Sequence, residues 1–171
     1  DQIIPKLNDV FVCGDMSFQV VFFDTTNENE NNNSLVLLGT IYDHKWLFTG
    51  DIESEVEHQL VSALSESISY LKVPHHGSIT SSTMRFISKL NPKIAIISVG
   101  KHNSYNHPSE EVISRYQSLG TITYRTDEVG TLTFHFYRQF SSPLVTSEAQ
   151  KRKPYGYLKQ GFNFWVWMFG K

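Results

Sequence analysis

The chain has 171 residues, enough for one ordinary domain and too few for two comfortable ones. Its 15 Lys and Arg against 17 Asp and Glu give a formal net charge of −2, which argues against bulk electrostatic binding of nucleic acid and leaves only local or metal-assisted contact. The single cysteine, Cys13, excludes an internal disulfide and a cysteine-built zinc site, and no apolar run reaches the ~18 residues a membrane span needs.

The chain opens on "DQIIPK" without a methionine, and so reads as a piece of something longer. "DVFVCG" and "SFQVVFFD" predict a hairpin turning at Asp15-Met16. The Asn-rich "TTNENENNN" (25–33) predicts a loop. "SLVLLGTIYD" and "KWLFTGD" predict two strands around a turn at Asp43-His44, apolar enough to be covered on both faces. Behind Asp51 the period becomes helical through Val56, Leu60, Val61 and Leu64, and Ser54 with Glu57 has capping-box spacing. "SYLKV" is a strand, followed by "PHHGS". Thr83, Phe86, Ile87 and Leu90 mark a second helix, stopped at Asn91-Pro92. "KIAIISV" is a strand and "GKHNSYNH" a polar loop. Pro108 suits the first turn of a third helix, with Glu110 and Glu111 at its positive end, Val112, Ile113, Tyr116 and Leu119 on its buried face, and Gly120 as its stop. "TITYRT" and "GTLTFHFY" are strands around "DEVG". In the second, Leu132, Phe134 and Phe136 share one face, with Thr133 and His135 on the other. Residues 138–171 form a basic, aromatic tail with no diagnostic spacing, read as an extension packed on the body; a membrane-surface or DNA-stacking segment is the alternative.

Helical connections between neighbouring strands make those strands parallel, and parallel strands deliver the loops at their carboxyl ends to one edge of the sheet. There the sequence puts Gly50-Asp51, then Pro74-His75-His76-Gly77-Ser78, then the loop Lys101-His102-Asn103 through His107. Imidazoles and a carboxylate are donors suited to zinc or manganese, and a carboxylate such as Asp51 can bridge two cations that together hydrolyse a phosphodiester. Taken singly, Asp51 suits a helix start, His107-Pro108 likewise, and Lys101 and His102 suit a solvated loop. Their convergence favours a metal site. His44, His58 and His135 lie off this edge. A serine hydrolase using Ser78 with His76 lacks the G-x-S-x-G elbow.

In this order, "NNSLVLL", "LFTGD", "LKVPHHGSITSS", "PKIAIISVG", "HNSYNHPSEEV" and "RTDEVGTLTF" resemble the metallo-β-lactamase-like domain of ComEC-type competence proteins, DNA-uptake channel proteins of bacterial membranes. The resemblance covers roughly residues 17–137. It implies an α/β (mixed α+β) fold, the second half of an αββα sandwich, with 1–137 a partial domain and 138–171 a tail. It implies Asp51 as the bridging carboxylate and His75 as a metal ligand, with His76 as the alternative. Asp51 and His75 are then the catalytic pair, and Ser78 and His107 match positions lining the cleft; with Lys101, His102 and Asn103 of the same edge they make up the expected substrate-binding set. Asn33 and Ser34 match the segment leading into the sheet. The implied activity is metal-dependent hydrolysis of DNA, with two zinc or manganese ions in the complete domain.

The H-x-H-x-D-H signature of that superfamily is absent from this chain. The expectation is therefore a fragment lacking the first half of its domain, inactive alone and holding few or no ions. Half a sandwich also leaves one apolar sheet face to be covered by the missing half, by a second copy or by the tail. The expected partners are DNA, taken as a single strand, the missing half, and the membrane channel portion of the same bacterial membrane protein, with this domain on the extracellular face. Alternatives are a metal-free module of the same fold binding DNA or a partner, and a small-molecule phosphoesterase.

Overall fold

The computed structural model describes residues 4–137, 142–147 and 163–164. Among the described residues, ten strands form two sheets, accompanied by four α-helices. Strands β1 (Val10–Cys13), β2 (Met16–Phe22), β3 (Val36–Ile41), β4 (His44–Phe48), β5 (Tyr70–Lys72), β6 (Ile94–Ile97) and β7 (Ile122–Arg125) form a seven-stranded sheet in that spatial order. The first four strands are antiparallel neighbours, and β4 to β7 pair in parallel. The parallel half follows from its connections: α1 (Ser54–Ala63), α2 (Met84–Leu90) and α3 (Glu110–Ser118) each return the chain to the same end of the sheet. A short helical turn, α4 (Thr126–Val129), leads to β8 (Leu132–His135), which pairs antiparallel with β9 (Leu144–Ser147) and β10 (Asn163–Phe164) in a second sheet.

Alternation along the strands gives the large sheet two apolar faces. Val36, Leu38, Leu47, Leu71, Val73, Ala95 and Ile97 pack with Val56, Leu60, Phe86, Ile87, Leu90, Val112 and Tyr116 of the helices. On the opposite face Ile41, Trp46, Tyr70 and Ile96 pack with Phe134 and Phe136, and with the half-buried Leu132 and Val145 of the second sheet. Trp46 stacks on Tyr70 at 4.3 Å and meets Phe134 edge-on at 5.0 Å. The face expected to lack a partner layer is thus partly covered by β8 and β9, the latter from the tail. Apart from Asn163 and Phe164, the tail's basic and aromatic run lies outside the described residues.

Several local expectations are corrected. The first hairpin turns at Gly14-Asp15, because Cys13 pairs with Met16. The second turns at Tyr42-Asp43, because Ile41 pairs with His44, which places His44 in β4. The Asn-rich loop contains a 3-10 turn, Glu30–Asn33. Pro108 precedes the helix: Ser109 is the N-cap of α3, accepting from the Glu111 amide. Between the two strands, Asp127, Glu128 and Val129 of "DEVG" lie in the helical turn α4, with Gly130 as its C-cap.

The capping box at α1 does not form. Glu53 is the N-cap, and its amide donates to Asn32 Oδ1 at 2.9 Å; the Ser54 amide donates to Thr80 O at 3.1 Å. With those donors satisfied by other segments, the Glu57 carboxylate is free to turn inward. It is fully buried and accepts from the amides of Ser82 and Thr83 at the start of α2, the latter at 2.8 Å. Burial pushes its carboxyl above the ordinary value, while those amides and Arg115 pull it back.

Two glycines allow close backbone approach next to the sheet edge. Gly50, at φ +58°, would place a Cβ 2.6 Å from Ser34 Cβ; Gly77, at φ +82°, would place one 2.6 Å from Pro108 Cβ. Gly77→Ala is therefore expected to cost about 2–4 kcal/mol, combining left-handed strain with overpacking, whereas Gly100→Ala, whose Cβ meets nothing within 4 Å, should stay within ~0.5 kcal/mol. Urea midpoints at unchanged m-value measure both. Glu57→Ala strands the buried amide of Ser82 and the half-buried amide of Thr83 and should cost about 2–4 kcal/mol, against less than ~0.5 kcal/mol for Ser54→Ala; equal effects would restore the capping box. The raised folded pKa of Glu57 also sets a sign. Its contribution to stability is fully present below the unfolded value and declines as pH rises through the folded value, so wild type should lose stability relative to Glu57→Gln as pH climbs from about 4.5.

Candidate active site

Three loops meet at the carboxyl edge of the parallel strands, and each is fixed by polar bonds to its neighbours. After β4, Thr49 is buried and donates to Lys72 O at 2.8 Å, tying the end of β4 to that of β5. The Asp51 amide donates to Ser34 Oγ at 2.9 Å, and that hydroxyl donates to Asn31 O at 2.7 Å. Asp51 is thus anchored by the segment leading into β3.

After β5 the backbone enters the left-handed region for three residues in succession: His75 (φ 46°), His76 (φ 52°) and Gly77 (φ 82°). Each histidine there costs about 1–2 kcal/mol, a strain that persists only where the surroundings enforce it. They do. The His75 amide reaches Gly50 O at 3.3 Å, the Ser78 amide donates to His75 O at 2.8 Å, and the Ser109 amide donates to Gly77 O at 2.9 Å. The buried Ser81 hydroxyl reaches Pro74 O and Ser78 O, both at 3.0 Å. Ser78 is itself buried, its hydroxyl paired with that of Thr80 at 3.0 Å. The hydroxyl run after the two histidines is therefore the scaffold of the corner.

The left-handed corner turns the two imidazoles toward different carboxylates. His76 Nε2 lies 3.6 Å from Asp51 Oδ1, and its Nδ1 sits 2.5 Å from Ser98 O beyond β6. A carbonyl only accepts, so Nδ1 carries a proton, and Nε2 is the nitrogen left facing Asp51, available to an ion in the neutral ring. His75 Nδ1 lies 3.3 Å from Glu53 Oε1, off hydrogen-bond alignment, and is buried without another partner. The His107 ring stands edge-on to His75 at 5.6 Å and is stacked on its outer side by Tyr105 at 5.8 Å, which is 77% exposed. Burial lowers the His107 pKa; His75 and His76 add to this and Asp51 opposes it. Beneath Asp51, Lys72 donates to Gly50 O at 2.7 Å and lies 3.4 Å from Asp51 Oδ1. Burial pushes its ammonium down, and Asp51 counteracts this.

A cation at this edge is a testable fit. Two ligands each ~2.1 Å from a tetrahedral ion lie about 3.4 Å apart, close to the 3.6 Å between Asp51 Oδ1 and His76 Nε2. The tie of His76 Nδ1 to a backbone carbonyl is the arrangement that orients a ligating imidazole. These two donors suit a divalent ion but do not complete a set. Among the described residues no three His, Cys, Asp or Glu side chains converge as a metal-holding group.

Asp51, His75, His76 and His107 are thus brought together. Asn103 serves the loop: its side chain bonds Gly100 O and both backbone groups of His107, fixing the latter. Lys101 and His102 are exposed on the same loop, and no hydrogen bond or ion pair described joins them to this group. His44 sits in the aromatic cluster beside Tyr70 and Phe136, and His135 bonds Thr146 Oγ1 at 3.2 Å, both off the edge as expected. Sequence reasoning missed Lys72, Glu53 and Tyr105. Lys72 reads as one more strand residue; only its even-numbered place beside Tyr70, on the face away from the helices, signals inward exposure.

No family model matches the chain. Among curated proteins it is 37% identical over 133 residues to "ComE operon protein 3" of Bacillus subtilis, covering 77% of this chain and 17% of that protein. It is 36% identical over 110 residues to "Competence protein ComA" of Neisseria gonorrhoeae, covering 63% and 16%. It is 31% identical over 109 residues to "Recombination protein 2" of Haemophilus influenzae, covering 64% and 14%. The chain thus spans about one-sixth of the length of the curated relatives it matches. Its fold superposes with TM-score 0.51, at 15% identity, on a crystal structure from Parabacteroides distasonis named for a metal-dependent hydrolase, covering 72% of this chain and 57% of that one. With the mixed α/β architecture, the motifs along the sheet edge and these competence-protein homologues, the chain is a ComEC-type domain sequence that shares its fold with the Parabacteroides distasonis structure.

Proposed function

We propose that this chain supplies one wall of a metal-dependent phosphodiesterase site that cuts DNA during its uptake. The observation that carries the reading is the Asp51 carboxylate facing Nε2 of His76 across the span of one cation, at the edge where parallel strands deliver their loops. The names of the relatives, drawn from competence and recombination, support DNA as the substrate class. In this reading Asp51 and His76 hold the ion, with His75 beside them. The remaining ligands come from a preceding segment of the longer protein, such as its relatives possess in length. A bound zinc or manganese would supply Lewis-acid polarisation of a phosphodiester oxygen. The chain's own groups do the rest. Lys72 holds the Gly50 carbonyl and offsets the charge of Asp51. His107 and Tyr105 form an aromatic ledge on which an unstacked base of a single strand can lie. Lys101 and His102 stand exposed on the loop that carries it, and Ser78 with Asn103 keep the corner and the ledge in place.

Among the described residues no helix is long and apolar enough to cross a membrane. We place the domain as an appendage of a bacterial membrane DNA-uptake protein, on the extracellular face, with the channel portion and the missing half as partners. Self-association is the alternative cover for apolar surface such as Val10, Phe11 and Val12 on β1. A second reading, a metal-free DNA- or partner-binding module, is favoured by one observation: Lys72 already gives Asp51 a cation at 3.4 Å.

The deciding measurement is metal content and single-strand DNA cleavage in the longer natural protein. Asp51→Ala and His76→Ala should each lower metal affinity by more than the ~10–100-fold that loss of a residue bonded to a ligand costs, and cleavage should fall with it. Metal-free protein with unchanged, salt-dependent DNA affinity in both variants would establish the binding module instead. Tyr105→Ala should weaken binding of single-stranded DNA by roughly 5–100-fold, the worth of one stacked base, and leave metal content unchanged.

A further inference from the structure

The Asn-rich loop makes contacts that its sequence does not advertise. Asn29 Nδ2 donates to Glu53 Oε2 and Asn31 Nδ2 donates to Glu53 Oε1, both at 3.0 Å. Asn32, almost fully buried, accepts from the Glu53 amide at 2.9 Å and donates to Glu55 Oε2 at 3.2 Å. Asn29 cannot invert its amide, because its Oδ1 already accepts from the Asn31 amide at 3.0 Å. Asn27 and Asn33 close the loop on themselves through the Asn27 amide and carbonyl. The loop therefore acts as a clamp whose side-chain donors converge on one carboxylate. A group that only accepts is required there.

The clamped carboxylate faces His75. Its Oε1 lies 3.3 Å from a buried Nδ1 that has no other partner. An unprotonated Nδ1 would set a lone pair against an anionic oxygen already fixed in place, whereas a protonated Nδ1 needs only a small ring rotation to complete a charge-assisted bond. His76 has the same arrangement by another route, its Nδ1 held by Ser98 O.

We propose that Glu53 is a positioning residue which, clamped by Asn29 and Asn31, holds the Nδ1–H tautomer of His75 and so presents Nε2 of both adjacent histidines as lone-pair donors. This deepens the hydrolase reading of the same edge and rests on it for the use to which the second donor is put. It converts the left-handed pair from one donor to two. It also explains why a strained corner is kept where one histidine and a glycine would turn the chain more easily: each imidazole is turned toward its own anchor, Glu53 for one and the Ser98 carbonyl for the other.

The test is nitrogen-15 NMR of the histidine rings in the full 171-residue chain, without metal or DNA, at a pH where the imidazoles are neutral. In wild type, Nδ1 of His75 should resonate as a protonated, pyrrole-type nitrogen and Nε2 as a pyridine-type one. Glu53→Gln, which offers one acceptor to three donors, should return His75 to a mixture of tautomers and leave His76 unchanged. Glu53→Asp should restore part of the bias. A wild-type His75 protonated on Nε2 overturns the proposal, and needs no variant to fold. So does an unchanged tautomer in Glu53→Gln with an intact amide spectrum. The outcome is independent of DNA cleavage in the longer protein. Loss of the proposed tautomer with cleavage intact would overturn this inference and leave the hydrolase standing. The proposed tautomer without cleavage would do the reverse.

Discussion

Parallel pairing of β4, β5 and β6 is the constraint on which the site depends. Trp46 pairs with Tyr70 and Tyr70 with Ile94, so the three strands run in register and end at one level. Their following loops cannot avoid one another. The contacts from Asp51 to His76, from Glu53 to His75 and from His76 to Ser98 O all cross between these loops. The helices enforce the arrangement, since α1 and α2 both pack on the face lined by Leu47, Leu71 and Ala95. Helical crossovers of this kind allow only parallel neighbours.

Given that frame, polar groups rather than apolar ones set the fine geometry. The strained turn at His75 and His76 is held by the Ser78 amide, the Ser81 hydroxyl and the close seat of Gly77 on Pro108. Ser82 and Thr83 in turn depend on the buried Glu57, and Arg115 spans from Glu111 to the carbonyls of Ser81 and Ser82. Strain in the corner, burial of a carboxylate and a salt-bridged arginine thus form one connected scaffold. Networks of this kind fix a single conformation only when every member is satisfied.

The charges at the edge are balanced in a way that bears on metal use. Asp51 faces an imidazole nitrogen on one side and the Lys72 ammonium on the other. Lys72 is 11% exposed in its side chain, and its bond to Gly50 O offsets part of the cost of burying it. A divalent ion entering beside Asp51 would meet that ammonium at close range. In the proposed site the lysine would weaken the pull of the carboxylate on an ion, and it keeps Asp51 from being an isolated negative charge.

The order of strands and helices through β8, save the turn α4, the direction of the parallel half and the meeting of Asp51, His75, His76 and His107 were legible in the sequence. They follow from period and from crossover connections, which are local properties of the chain. Gly77, Pro92 and Gly120 were readable for the same reason. The capping box at Ser54 and Glu57 was not realised, because Asn32 and Thr80 reached the start of α1 first and left Glu57 to serve α2; spacing along one helix says nothing of competitors from elsewhere. Which nitrogen of His76 faces Asp51, the clamp of Asn29 and Asn31 on Glu53, and Lys72 beneath the site were decided by tertiary structure alone. Each is a contact between segments about 21 to 24 positions apart, and its existence depends on backbone placement to within an ångström. Sequence alone thus determined which residues arrive at the edge; packing determined which way they face, since hydrogen-bond direction belongs to three-dimensional neighbours and not to spacing.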